Sequence, residues 1–127
     1  MEWIFRGDQP IYSQLIQQIK QGIVSGQLPP GGRLPSVRDL AMEAGVNPNT
    51  MQRALQELER EGMVYSQRTA GRFVTEDVKL IDGAKRAFAQ EHIRVFLEGM
   101  NKLGYGRGEI LSLLQEEKEE KNGDSGM

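Results

Sequence analysis

Apolar residues return at three- and four-residue intervals through most of this 127-residue chain, and the intervals are punctuated by Pro, Gly, Ser and Asn. Tyr12, Leu15, Ile16, Ile19 and Ile23 stand at i, i+3, i+4, i+7 and i+11, the spacing that puts side chains on one stripe of an α-helix. Pro10 suits the first turn of that helix, where its missing N–H would have no partner. Gly26 is expected to end it, and Pro29-Pro30-Gly31-Gly32 to make a rigid turn. A second helix is predicted from the N-cap Ser36 to about Ala44, with Asp39 placed as in a capping box. Gly45 then supplies the left-handed residue that the turn requires. Asn47 caps a third helix with Pro48 at its first position. Met51, Ala54, Leu55 and Leu58 form its inward face, and Gly62 closes it.

Met63-Val64-Tyr65-Ser66 and Arg72-Phe73-Val74 read as two short strands around a turn from Gln67 to Gly71. Beyond Thr75, residues Ile81, Ala84, Phe88, Val95, Phe96, Met100 and Leu103 predict a helix of roughly 20–25 residues. Gly104-Tyr105-Gly106 breaks it, and a shorter helix follows from Glu109 to about Lys121. The expected fold is mainly α with a small β-hairpin. Residues 1–76 would form an N-terminal winged helix-turn-helix, residues 77–121 a two-helix dimerisation tail, and residues 122–127 a disordered end. Met1 to Phe5, which holds the single Trp, is expected to be extended and packed onto the domain.

Composition narrows the possibilities. No apolar run approaches the ~18 residues of a membrane span, and Met1-Glu2-Trp3 does not open a signal peptide. The absence of Cys excludes disulfides, thiolate metal sites and cysteine nucleophiles, and a cytoplasmic location is expected. The net charge of −2 announces no global attraction to nucleic acid, so any DNA contact must rest on individually placed cations. The 15 glycines form neither a dinucleotide nor a phosphate-loop pattern. Without a nucleophile–base pair or paired carboxylates, no catalysis and no cofactor are expected. His92, the single histidine, has no second His or Cys partner for a metal site, and a helix-packing or dimer-interface role is the expectation.

Pro10-Ile11-Tyr12, the run Gly31-x-Arg33-Leu34-Pro35-Ser36-x-Arg38-x-Leu40-Ala41, Gly45-Val46-Asn47-Pro48-Asn49-Thr50 and Gly71-Arg72-Phe73-Val74 together resemble the GntR family of bacterial transcription regulators. The short two-helix tail is similar to that of the YtrA subfamily. This resemblance implies a homodimer that binds a palindromic operator, of the GT…AC type seen across the family, acts as a repressor and controls a transporter operon. Many family members carry Arg at the places of Pro48 and Gln52, and a Gly-x-Gly where this chain has Thr69-Ala70-Gly71.

The resemblance makes Arg38 the expected base-reading arginine, against a plainer role as intrahelical partner of Asp39 or Glu43. A bidentate Arg–guanine pair contributes roughly 1–3 kcal/mol of discrimination. Asn47, Asn49, Thr50, Gln52 and Arg53 lie in the first turns of the third helix, the end that enters a major groove in this geometry; a solvated face is the alternative. Ser36 is a cap and a candidate phosphate contact. Arg33, Arg68 and Arg72 are candidates for phosphate or the minor groove, with Arg68 expected at the wing. Arg60, among Glu57, Glu59 and Glu61, is read as part of a solvated charged face.

In the tail, Ile81, Phe88, His92, Val95, Phe96, Leu103, Leu111 and Leu114 are the expected dimer interface, since two helices cannot enclose so much apolar surface. A small-molecule effector is left open, because no convergent polar cluster marks a site for one. The rival to DNA binding is a protein–protein adaptor that keeps the winged fold without DNA affinity.

Overall fold

The computed structural model describes residues 1–121; the expected disorder of residues 122–127 lies outside the described residues. In chain order the elements are α1 (Ile11–Val24), α2 (Val37–Ala44), α3 (Pro48–Arg60), β1 (Val64–Gln67), β2 (Gly71–Val74), α4 (Val78–Lys102) and α5 (Arg107–Lys121). The chain divides into two compact units, and the division falls inside α4 between Ala87 and Phe88.

Local chemistry sets the helix boundaries of the first unit. Ser36 Oγ accepts the Asp39 N–H at 3.1 Å and Asn47 Oδ1 accepts the Asn49 N–H at 2.7 Å, each satisfying a donor that a helix start would otherwise leave open. Between α2 and α3, Gly45 adopts φ 71°, the left-handed conformation that costs a residue with a Cβ but not glycine.

Leu15, Ile19 and Ile23 of α1, Leu40 and Ala41 of α2, and Met51, Ala54, Leu55 and Leu58 of α3 meet in one core. Met63, Val64 and Val74 close it from the hairpin, and Ile81 from the start of α4. Each large aliphatic side chain buried there contributes about 1.5–3 kcal/mol relative to leaving it in water.

β1 and β2 pair antiparallel from Val64↔Val74 to Gln67↔Gly71. The opposite edge of β2 is also covered. Arg33 forms an antiparallel bridge with Phe73, Leu34 N–H donates to the Arg72 carbonyl at 2.9 Å, and Val74 N–H donates to Gly32 at 2.9 Å. The segment read as a turn thus continues into a third strand-like edge. It leaves no bare row of backbone groups on that side of the hairpin.

The N-terminal lead is docked by two glutamines. Gln18 accepts the Ile4 N–H at 3.1 Å and donates to the Ile4 carbonyl at 2.5 Å; Gln14 does the same for Arg6, both at 2.8 Å. Four residues of helix rise about 6 Å and two residues of extended chain about 6.6 Å. Amides at i and i+4 therefore match backbone at j and j+2. The alternation sends Trp3 and Phe5, stacked at 6.1 Å, toward the core and leaves Ile4 exposed.

In the second unit, α4 ends at Lys102, and Gly104, with φ 96°, turns the chain after it. α5 starts at Arg107, two residues before Glu109, because the Glu109 carboxylate reaches back to accept the Gly106 N–H at 2.9 Å, the acidic half of a capping box. Ile110 is buried, while Ile93, Val95, Phe96, Leu103, Leu111, Leu113 and Leu114 are exposed.

Candidate DNA interface

The start of α2, at Ser36 and Val37, lines a surface hollow with Arg33, Gly71 and Arg72 at the base of the hairpin, while the turn after α2 leads into the start of α3. Arg38, at the second position of α2, is exposed and makes no ion pair among the described residues. Glu43, a rival partner for it, is engaged elsewhere: its Oε1 accepts the Trp3 indole N–H at 3.1 Å and a hydrogen bond from the Met1 amino group at 3.2 Å. The Trp3 bond, followed by that of the amino group, holds the Glu43 carboxyl below its ordinary range.

At the start of α3 the donors are few. Pro48 has no N–H, the Asn49 N–H is held by the Asn47 side chain, and the Met51 N–H is bonded to the Asn47 carbonyl. The Thr50 N–H is left in the first turn, so a phosphate there would meet one backbone donor rather than several. Asn49 is exposed, and Thr50 and Gln52 are half-buried. The Asn47 Oδ1 is occupied as a cap, which leaves its amide N–H₂ for outside contacts. Ser36, also a cap, retains its O–H as a donor.

Arg53 is exposed, with its guanidinium 4.6 Å from the centroid of the Tyr12 ring, a cation–π distance. Sequence reading assigned Tyr12 to the core stripe and missed this second use. Arg33 extends along the base of the wing beside Gly71, where an added Cβ would stand 3.3 Å from the Arg33 Nε. Gly71 also has φ 109°, so conformation and crowding both favour glycine there. Arg68 lies in the hairpin turn, exposed and without an ion-pair partner among the described residues.

Arg72 differs from the other candidate cations. Its Nε–H donates to Glu59 Oε1 at 2.5 Å, and both side chains are half-buried. Expected as a DNA contact, Arg72 is engaged within the chain, because strand alternation turns it toward the end of α3. Burial pushes the Glu59 carboxyl up, but hydrogen bonds from Arg72 and Ser66 outweigh it, and the net result lies below the ordinary 4.5. Arg60 is paired with Glu57 at 2.7 Å, in line with a charged surface face.

The tail residues separate into two groups. Ile81, expected at a dimer interface, is 9% exposed and packs in the core of the first unit, since the start of α4 belongs to that unit. Phe88 is half-buried, and His92, Val95, Phe96, Leu103, Leu111 and Leu114 are exposed. At about 100° per residue, Phe88, His92, Val95 and Phe96 share one side of α4 spanning roughly 100°, and Leu103 follows directly after the helix end at Lys102. Ile93 and Leu113 add exposed apolar surface that the sequence reading did not include. Among the described residues, no group of three or more His, Asp or Glu is arranged to hold a metal ion, and no helix is long and apolar enough to cross a membrane.

Two helices joined by a glycine turn, backed by a third and flanked by a hairpin, define a winged helix-turn-helix. The model for bacterial regulatory proteins of the gntR family matches residues 11–74, and the chain belongs to that family. It is 39% identical to the HTH-type transcriptional regulator YhcF of Bacillus subtilis over 84% of this chain and 88% of that protein. It is 42% identical to the HTH-type transcriptional repressor YtrA of the same organism, over 70% of this chain and 69% of the relative. Among solved structures, a GntR family transcriptional regulator from Listeria monocytogenes superposes with a TM-score of 0.80 at 36% identity, covering 88% of this chain and 98% of that one. The DNA-binding domain of AraR in complex with operator ORX1 superposes with a TM-score of 0.54 at 29% identity, over 59% of this chain and 96% of that one. The protein is a DNA-binding transcription regulator and not an enzyme.

Proposed function

We propose that this protein is a cytoplasmic repressor that binds a palindromic operator as a homodimer and controls a transporter operon. In this reading residues 1–76 hold the duplex and residues 77–121 join two copies. The observation that carries it is the set of side chains without a polar partner among the described residues around the helix-turn-helix: Arg38 on α2, Asn49 and Gln52 on α3, and Arg68 on the wing. An unpaired Arg or amide is equipped to read guanine or adenine edges, while phosphate contacts from Arg33 and Arg68 supply affinity without sequence information.

With Pro48 and Gln52 in place of arginines, Arg38 and the neighbouring amides carry more of the base reading. The exposed Val95, Phe96 and Leu103, with the half-buried Phe88 beside them, support the dimer, because self-pairing of one surface generates a two-fold axis. Two-fold proteins read inverted repeats whose half-site spacing follows from the dimer. The repressor sense rests on likeness to the repressor YtrA, and the transporter operon on the resemblance of the short two-helix tail to the YtrA subfamily.

The test is a gel shift on the DNA upstream of its own coding sequence, run across a salt series. Binding that weakens steeply with salt supports the reading; the absence of binding favours the protein–protein adaptor. Loss of the gene should raise expression of an adjacent transporter operon, and unchanged expression would remove that part of the proposal.

A further inference from the structure

Glu59 lies in the last turn of α3, and the two strands of the wing bring Ser66 and Arg72 to it. One carboxylate oxygen accepts both the Ser66 O–H at 2.7 Å and the Arg72 Nε–H at 2.5 Å. Ser66 and Arg72 are register partners across β1 and β2, so a single oxygen ties both strands to the helix at one rung. The Arg72 side chain is 19% exposed and that of Glu59 30%. Such a pair is less screened than a surface ion pair, and deleting one member leaves the other poorly solvated. Arg60, next in sequence, is committed to Glu57 and does not compete for Glu59.

We propose that Glu59 is a positioning residue that fixes the wing on α3 and withholds Arg72 from DNA. This rests on the DNA-binding reading above and goes beyond it by dividing the wing cations into two kinds. Arg33 at the base and Arg68 at the turn face outward for phosphate, whereas Arg72 is a structural cation. Because the rung joins the hairpin to the helix that enters the groove, a swing of the wing away from α3 must break two hydrogen bonds to one charged oxygen. The angle between helix and wing is thereby set before DNA arrives, which lowers the ordering cost of binding.

The 127-residue chain and a short mixed-sequence duplex suffice for the test. The slope of log affinity against log salt counts the phosphates neutralised, at about 0.9 per contact. In Glu59→Gln the freed Arg72 should steepen that slope by about 0.9 per protomer, about 1.8 for a bound dimer, and Glu59→Gln combined with Arg72→Gln should return it to the wild-type value. In the free protein, Glu59→Gln should speed amide hydrogen exchange across residues 64–74 while α1 and α2 keep their protection. Ser66→Ala, which removes one of the two bonds, should give an intermediate increase. Unchanged slope and unchanged wing exchange in Glu59→Gln would overturn the proposal, as would a slope reduced by about 0.9 per protomer in Arg72→Gln alone. Should wild-type protein show no salt-dependent binding, the DNA reading fails by itself, and wing exchange still decides whether Glu59 holds the hairpin.

Discussion

The two units of this molecule treat apolar side chains in opposite ways. In the first, Leu15, Ile19, Met51, Leu55, Leu58 and Val64 are closed off from solvent, and the outward face carries the unpaired Arg38, Asn49 and Arg68. In the second, Phe96 and Leu111 are exposed and Leu103 is 74% exposed. The first unit completes its core within one chain and keeps its polar groups for a polar partner. The second presents apolar side chains that call for an apolar partner, and a second copy of the same stripe fits that need. Under the proposed function this difference divides the tasks: the first unit would read a duplex, and the second would set two readers at a fixed spacing.

Damage to the closed core should have the largest effect. Leu58→Ala removes a fully buried side chain and should cost about 2–5 kcal/mol, read as a lower denaturant midpoint with an unchanged m-value. Phe96→Ala should leave the first unit's fold intact and weaken self-association by about 2 kcal/mol, roughly thirtyfold in dissociation constant. Sedimentation across a concentration series checks this, and a monomeric wild-type protein at micromolar concentration would break the comparison. Arg38→Ala should lose roughly 1–3 kcal/mol of discrimination at one base pair per half-site with little change in dimerisation. Asn47→Ala removes a helix cap and should cost about 1 kcal/mol of thermal stability.

A subtler effect should appear in acid. The folded protein holds the Glu59 carboxyl below its ordinary 4.5, so it binds that proton less readily than the unfolded chain does. The resulting stability is present in full above 4.5 and is lost as pH falls through the lowered value. Glu59→Gln should therefore be less stable than wild type at neutral pH and have a shallower acid limb. An acid limb identical to wild type would contradict the Arg72–Glu59–Ser66 arrangement.

What the sequence discloses follows the range of each interaction. Ser36, Gly45, Asn47 and Pro48 act within a few residues of themselves, so the helix-turn-helix is legible from their order. The bridge between Arg33 and Phe73 joins segments far apart in sequence, and nothing local to Pro29-Pro30-Gly31-Gly32 distinguishes a turn from a turn that continues into a strand. Glu59 stands among Glu57, Arg60 and Glu61 and reads as surface charge; only the hairpin folding back on α3 reveals its partners. Gln14 and Gln18 carried one signal that could have been used, an i, i+4 amide pair beside the apolar stripe of α1. Ile81 belongs to a continuous α4 pattern, and periodicity has no means of showing that the division between units falls after it.

The most direct test of the central claim is selection of preferred sequences from a randomised duplex pool by the 127-residue chain. A sequence-reading unit paired by a two-fold tail predicts enrichment of an inverted repeat with one fixed half-site spacing. Enrichment of a single unrepeated half-site would contradict the pairing of two readers, and no enrichment at all would contradict sequence reading itself.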